Sequence, residues 1–176
     1  MEEGMGGGVA CMPDDWTAGA DAPGWQSEKH TILSGMENLN VWSAGAALTL
    51  VSLAALHAVW ATSNPWPARN AAQLSAHVIG GHSARDLPPP VACLTVAAAL
   101  LTASALALAA PGMPGGSLVN TGAQVVAGTL LLRGTAGYAL PALLPAMRGT
   151  PFVPLNAWLY SPLCLLLGAA ILLSLR

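Results

Sequence analysis

The stretch VACLTVAAALLTASALALAA, residues 91–110, contains no charged side chain in 20 positions. A helix rises about 1.5 Å per residue, so a stretch of this length crosses the roughly 30 Å apolar core of a bilayer. Three further apolar stretches of similar length lie at 41–60, 119–140 and 156–175. We therefore expect an all-α fold, an integral membrane four-helix bundle formed by residues 41–176.

The composition excludes an ordinary soluble domain. Of the 176 residues, 54% are hydrophobic and only 8% are charged, whereas a soluble domain carries about 25% charged residues. The six basic residues are scattered singly and the net charge is −2, so the chain lacks the basic stripe that neutralises a run of phosphates. We expect a lipid bilayer, and not a nucleic acid, to surround or contact this protein.

Residues 1–40 differ from the rest of the chain because they are rich in glycine and acidic residues. Such a segment buries too little apolar surface to fold by itself, and we expect a disordered N-terminal tail. Its amino end is acidic and has no short apolar run, so it does not have the pattern of a signal peptide.

The first connection between the apolar stretches, residues 61–90, is the longest. Within it, residues 68–79 have a weak helical pattern that Gly80 and Gly81 would end, which predicts a short interfacial helix. Trp60 and Trp66 flank its beginning and are expected to anchor the chain at the membrane surface, where indole rings are favoured.

The basic residues near the span ends indicate an orientation. Four spans place both termini on one side of the membrane. Arg69, Arg85 and Arg148 lie in the first and third connections, against Lys29 and Arg176 on the terminal side. By the positive-inside rule, we expect the first connection in the cytoplasm and both termini outside.

Arg133 is the most costly residue of the apolar stretches. An arginine at the centre of a span costs about 2.5–3.5 kcal/mol on the insertion scale, and no span contains an Asp or Glu to pair with it. Its five donors must therefore meet carbonyls, hydroxyls, water or a bound anion. The alternative is that the long side chain extends to the headgroup region and meets lipid phosphate there.

His57 lies one helical turn before Trp60, so the two rings are expected on the same helix face. A packing or interfacial role competes with that of a proton carrier. A bis-histidine haem needs a second histidine within the spans, and His77 and His82 both lie in the first connection on opposite sides of a glycine pair. The three cysteines form no CxxC pair, and we predict neither a metal site nor a cofactor.

The fourth apolar stretch contains Tyr160, Ser161 and Pro162. Proline inside a helix frees a carbonyl from its hydrogen bond, and we expect the Ser161 hydroxyl to bond to that carbonyl. No GxSxG elbow or acidic partner is present to activate Ser161 as a nucleophile. Tyr160 is expected to act as an interfacial anchor.

Several short motifs together resemble the small bacterial membrane proteins grouped as domain of unknown function 3995. They are LHAVWA at 56–61, WPA at 66–68, LRG at 132–134, PF at 151–152 and LYSPLCLL at 159–166. The resemblance covers about residues 41–176 and implies four transmembrane helices with no established activity. It places His57, Trp60, Arg133, Tyr160 and Ser161 at motif positions. Asn64 stands where a small residue such as glycine is expected.

Three functional hypotheses follow. The first is a non-enzymatic bundle in a bacterial cytoplasmic membrane that binds a lipid or a small anion, or serves as a small membrane subunit. Its polar core is expected to be His57 and Arg133. Its candidate ligand-binding residues are His57, Trp60, Arg133, Tyr160 and Ser161, and no catalytic residue is predicted. The second is a membrane enzyme or transporter with His57 as proton carrier, Arg133 as anion clamp and Tyr160 as donor, which the lack of carboxylates in the spans disfavours. The third is a purely structural role.

Overall fold

A computed structural model describes residues 41–176, and the tail over residues 1–40 lies outside that range. The all-α prediction is confirmed for the described part, which contains no strand. The principal helices are α1 (Val41–Ala61), α2 (Ala71–Val78), α3 (Pro90–Ala109), α4 (Leu118–Leu143) and α5 (Phe152–Ser174).

Side-chain caps explain where α2 and α4 begin. Asn70 caps α2 by accepting a hydrogen bond from the backbone N–H of Gln73 at 2.8 Å, and α2 is followed by Gly80 with φ of +71°. Ser117 caps α4 in the same way, accepting from the N–H of Asn120 at 3.1 Å. The short helix expected over residues 68–79 of the first connection is therefore present as α2, over Ala71–Val78, and its place at a membrane interface stays a prediction.

The long helices pack as two pairs. α1 lies along α3 and α4 lies along α5, while α1 also contacts α5 and α3 contacts α4. Alanine dominates the shared core, which lets the backbones approach closely, as is typical of helices in a membrane. The most buried core residues are Leu50, Ala107, Ala110, Ala123, Ala127 and Ile171.

By length and composition, three of the helices qualify as membrane spans, namely α1, α3 and α5. The sequence predicts four, and the helix over the third stretch, α4, falls below the hydropathy that the other three reach. Asn120, Gln124 and Arg133 lower its mean hydropathy. α4 is nevertheless 26 residues long, so it has the length needed to cross a bilayer.

The first and third connections meet at one end of the bundle. The hydroxyl of Tyr160 donates to the carbonyl of His77 at 3.2 Å, and Nε2 of His82 lies 3.0 Å from the carbonyl oxygen of Ala146. Gly80 packs so close to Phe152 that an added Cβ would stand 3.3 Å from the ring. α2 therefore lies against the beginning of α5.

Candidate functional site

A widened helical turn shapes the beginning of α5. Residues Asn156–Tyr160 form a π-helical turn, in which the N–H of Ser161 donates to the carbonyl of Asn156. Pro162 follows directly; it has no N–H to donate to the carbonyl four residues earlier, and its ring crowds that carbonyl in a regular α-helix. π turns inside α-helices occur frequently at functional sites.

The π turn brings Asn156 and Ser161 to the same side of α5. In a regular α-helix, side chains five residues apart point about 140° away from each other. In α5 both are buried, with exposed fractions of 1% for Asn156 and 0% for Ser161. Both lie near Gly137 of α4, so the turn aims two polar side chains at the neighbouring helix.

Asn156 is held by a defect in α4. Pro141 lies inside α4 and has no N–H, so the carbonyl of Gly137, four residues earlier, lacks its helical donor. The Nδ2 group of Asn156 donates to that carbonyl at 2.5 Å. Because a carbonyl only accepts, the amide atom that faces it must be Nδ2. Oδ1 of Asn156 then points away from Gly137 and is free to accept another hydrogen bond.

Arg133 uses that acceptor. Its Nη2 donates to Oδ1 of Asn156 at 3.1 Å, while its Nη1 is buried without a hydrogen-bond partner. Asn156 lies four residues after Phe152, where α5 begins, so the bond is about 6 Å along the helix from that end. The guanidinium therefore lies about one helical turn from the beginning of α5 and not at the middle of the bundle.

Gly137 makes room for this arrangement. A Cβ added at Gly137 would lie under 3 Å from both Nη1 of Arg133 and Oγ of Ser161, so these two polar atoms share one small space. The Ser161 hydroxyl is buried and has no hydrogen-bond partner. The expected bond from Ser161 to a freed carbonyl is thus absent, because the π turn points the hydroxyl at α4 instead.

Within the described residues 41–176, no carboxylate pairs with the charge of Arg133. Between residues 41 and 176, Asp86 is the single acidic side chain, against five arginines. Asp86 lies in the first connection, where its Oδ2 accepts the backbone N–H groups of His82 and Ser83, both at 2.8 Å. The bond from Ser83 has the larger effect and that from His82 the next, and together they hold the pKa of the Asp86 carboxyl below its usual value.

His57 lies in different surroundings. It lines a cavity of about 480 Å³ between the end of α1, the first connection and the beginning of α3. Trp60 lines the same cavity, and the two ring centroids are 4.9 Å apart, which confirms the shared face expected from their spacing. The cavity lining includes no residue of α4 or α5, so Arg133 does not belong to it.

Four of the five candidate residues thus fall into two groups, and Tyr160 belongs to neither. His57 and Trp60 share the cavity at the end of α1, whereas Arg133 and Ser161 meet beside Gly137. Tyr160 is next to Ser161 in sequence but its hydroxyl bonds to α2.

Reasoning from sequence did not select Asn156 as a site residue. The signal was present, since Pro141 leaves the Gly137 carbonyl without a donor. Which side chain supplies that donor follows only from the packing of α4 on α5.

Within residues 41–176, no group of three or more His, Cys, Asp or Glu side chains lies close enough to hold a metal ion. Cys93 and Cys164, the cysteines of this part, are unbridged.

Comparison with known proteins matches the chain to a protein family. The model of the family described as "Protein of unknown function (DUF3995)" matches residues 50–171, which include α2, α3 and α4 and most of α1 and α5. No curated protein and no solved structure matches the chain. The matched range contains both groups of candidate residues and covers more than half of the sequence, and the chain therefore belongs to the DUF3995 family of proteins of unknown function.

Proposed function

We propose that this protein is a non-enzymatic, multi-pass bundle of the bacterial cytoplasmic membrane that binds a phosphate-type oxyanion at Arg133. The ligand is the phosphate of a lipid headgroup or free phosphate. Both present the same oxygen atoms to a guanidinium, and the experiment below separates them.

The proposal includes a membrane crossing by α4. Two of the residues that lower its hydropathy bond to each other: Asn120 is buried, and its Oδ1 accepts a hydrogen bond from Nε2 of the exposed Gln124 at 2.7 Å. Val125 and Leu132 face outward, with exposed fractions of 63% and 70%, and the exposed hydroxyls of Thr129 and Thr135 donate to carbonyls of α4 itself. Exposed apolar side chains and polar groups bonded within the helix suit a helix that contacts lipid.

The observation that carries the proposal is the uncompensated charge of Arg133. A guanidinium has five N–H donors, and one bond, to Asn156, accounts for a single donor. The residue is half-buried, and no acidic side chain occurs in α1, α3, α4 or α5. A charge held in such surroundings requires an anion or strongly bound polar groups.

Phosphate is the oxyanion class that arginine recognises best, because the planar fork of N–H groups matches two phosphate oxygens. The position of Arg133, one turn inside the end of α5, is within reach of the headgroup level for a long side chain. The hydroxyl of Ser161 lies beside Nη1 and has a free donor for the same ligand.

The test uses native mass spectrometry of delipidated protein in detergent. Phosphatidylglycerol is added in one arm and inorganic phosphate in the other, to wild type, Arg133→Gln and Arg69→Gln. Gln keeps a donor for Asn156 but removes the charge. Arg69 is an exposed arginine of the first connection and serves as the matched control.

Loss of the lipid adduct in Arg133→Gln but not in Arg69→Gln identifies a headgroup ligand. Loss of the phosphate adduct with the same pattern identifies free phosphate. The proposal is overturned if wild type binds neither, or if Arg133→Gln, with helicity and thermal midpoint like those of wild type, binds both as wild type does. If Arg133→Gln does not fold, Arg133→Lys replaces it; we expect Lys to retain weakened binding because it keeps the charge and loses the fork.

A further inference from the structure

The cavity that His57 lines includes no residue of α4 or α5 and is separate from Arg133. We propose that it binds an uncharged amphiphile with a phenol-type hydroxyl on an apolar body, and that His57 accepts the hydrogen bond of that hydroxyl.

The hydrogen bonding of His57 defines what the cavity offers. Nδ1 of His57 lies 2.8 Å from the carbonyl oxygen of Leu53. Because the carbonyl only accepts, Nδ1 carries the proton, and in the uncharged imidazole Nε2 is then an acceptor. Nε2 has no bond within the described part of the chain, so a ligand in this cavity meets an acceptor that requires a donor.

The other polar groups of the lining are partly used. Nε1 of Trp60 donates to the carbonyl of Trp66 at 2.8 Å, and Oδ1 of Asn64 accepts the backbone N–H of Trp66 at 3.0 Å. The hydroxyl of Ser63 and the amide N–H₂ of Asn64 remain. These groups lie just after the end of α1, while the residues of α2 and α3 that line the cavity are apolar.

The lining excludes a charged ligand and favours a ring. None of its residues is Asp, Glu, Lys or Arg, so an ion would lose its hydration without compensation. The rings of His57 and Trp60, together with Pro65 and the prolines 88–90, supply rigid faces against which a flat ring packs. The volume of about 480 Å³ lies in the range of small-molecule sites.

The experiment compares two probes that differ in one donor. 4-Nonylphenol has a hydroxyl that donates to Nε2, and 4-nonylanisole has a methyl ether of similar shape that cannot donate. Isothermal titration of the full protein in detergent is expected to show saturable binding of the phenol, about threefold to tenfold tighter than that of the ether. This comparison on the wild type needs no folded variant.

Two histidine variants locate the acceptor. His57→Phe keeps a ring and removes Nε2, so we expect it to bind both probes equally. His77→Phe is the matched control, since Nδ1 of His77 bonds to the carbonyl of Gln73 at 2.7 Å in the same way, yet His77 does not line the cavity. His77→Phe is expected to keep the preference for the phenol.

Three results would each overturn the proposal: no saturable binding of 4-nonylphenol, equal binding of both probes by wild type, or a preference that survives in folded His57→Phe. Arg133→Gln is expected to leave binding of the phenol unchanged, so failure at one site is distinguishable from failure at the other.

Discussion

Nη2 of Arg133 donates to Oδ1 of Asn156 at 3.1 Å, and this bond links α4 to α5 one turn inside the end of α5. It depends on a backbone defect, because Asn156 is oriented by the hydrogen bond that its Nδ2 donates to the Gly137 carbonyl, which Pro141 leaves without a helical donor. A proline on one helix thus positions an arginine through an asparagine on the next.

Asn156 and Pro141 are expected to be energetically coupled. Asn156→Ala leaves the Gly137 carbonyl and Nη2 of Arg133 unpaired and should lower the free energy of unfolding by about 2 kcal/mol or more. Pro141→Ala restores an N–H at position 141, so Asn156→Ala should cost less in that background. Thermal or denaturant unfolding of the two single variants and the double variant gives the coupling energy, expected at about 0.5–1.5 kcal/mol. Additive effects would show that Asn156 does not replace the missing helical donor.

Gly137 and Gly128 lie on the same helix and provide a matched pair. A Cβ at Gly137 collides with Arg133 and Ser161, whereas a Cβ at Gly128 meets nothing within 4 Å. Gly137→Ala is expected to destabilise the protein by about 1–3 kcal/mol, and Gly128→Ala to stabilise it by up to about 1 kcal/mol through helix propensity. Unfolding midpoints in one detergent compare the two. A tolerated alanine at both positions would contradict the close approach of α4 and α5.

Ser161→Ala removes a hydroxyl that is buried without a partner. Because no bond is lost, we expect stability in the ligand-free protein to be unchanged or higher, in contrast to Asn156→Ala. In the presence of the oxyanion ligand, the same variant should bind more weakly than wild type. A marked loss of stability without ligand would mean that the hydroxyl makes a structural bond after all.

Asp86 gives the first connection a pH dependence. The N–H groups of Ser83 and His82 lower the pKa of its carboxyl in the folded protein. A carboxyl with a lowered folded pKa contributes stability above its unfolded pKa, and that contribution disappears as the pH falls from about 4 through the folded pKa. The backbone amide resonances of His82 and Ser83 in NMR spectra should titrate in that range. In Asp86→Asn, which keeps an acceptor but has no titrating proton, they should not.

The long helices could be predicted from sequence because apolar length is a local property. α1 ends one residue later than the predicted span, and α3 begins and ends one residue earlier than predicted. α2 was expected from its periodicity and from the glycines that follow it. The sequence predicts four spans, whereas three helices qualify by hydropathy in the described residues, because Asn120, Gln124 and Arg133 lower the mean hydropathy of α4. A hydropathy average does not record that Asn120 is buried and bonded to Gln124.

Only part of the candidate site around Arg133 could be predicted from the sequence. Arg133 stood out by its charge, and its lack of an acidic partner is visible in the sequence. Its neighbours depend on the π turn, which changes the direction of Asn156 relative to Ser161 by an angle that no regular helical wheel predicts. The separation of His57 from Arg133 follows from which helices pair, and four apolar helices of similar composition do not reveal their pairing.

The central claim, that Arg133 contacts a phosphate oxyanion, is tested most directly by solid-state NMR in phosphatidylglycerol bilayers. Dipolar recoupling between arginine Cζ carbons and phosphorus is measured on wild type and Arg133→Gln, first in buffer without phosphate and then with inorganic phosphate. We predict a phosphorus-dephased Cζ signal in wild type that is missing from Arg133→Gln, seen without added phosphate for a headgroup and only with it for free phosphate. A wild-type spectrum in which every dephased signal persists in Arg133→Gln under both conditions would contradict the claim.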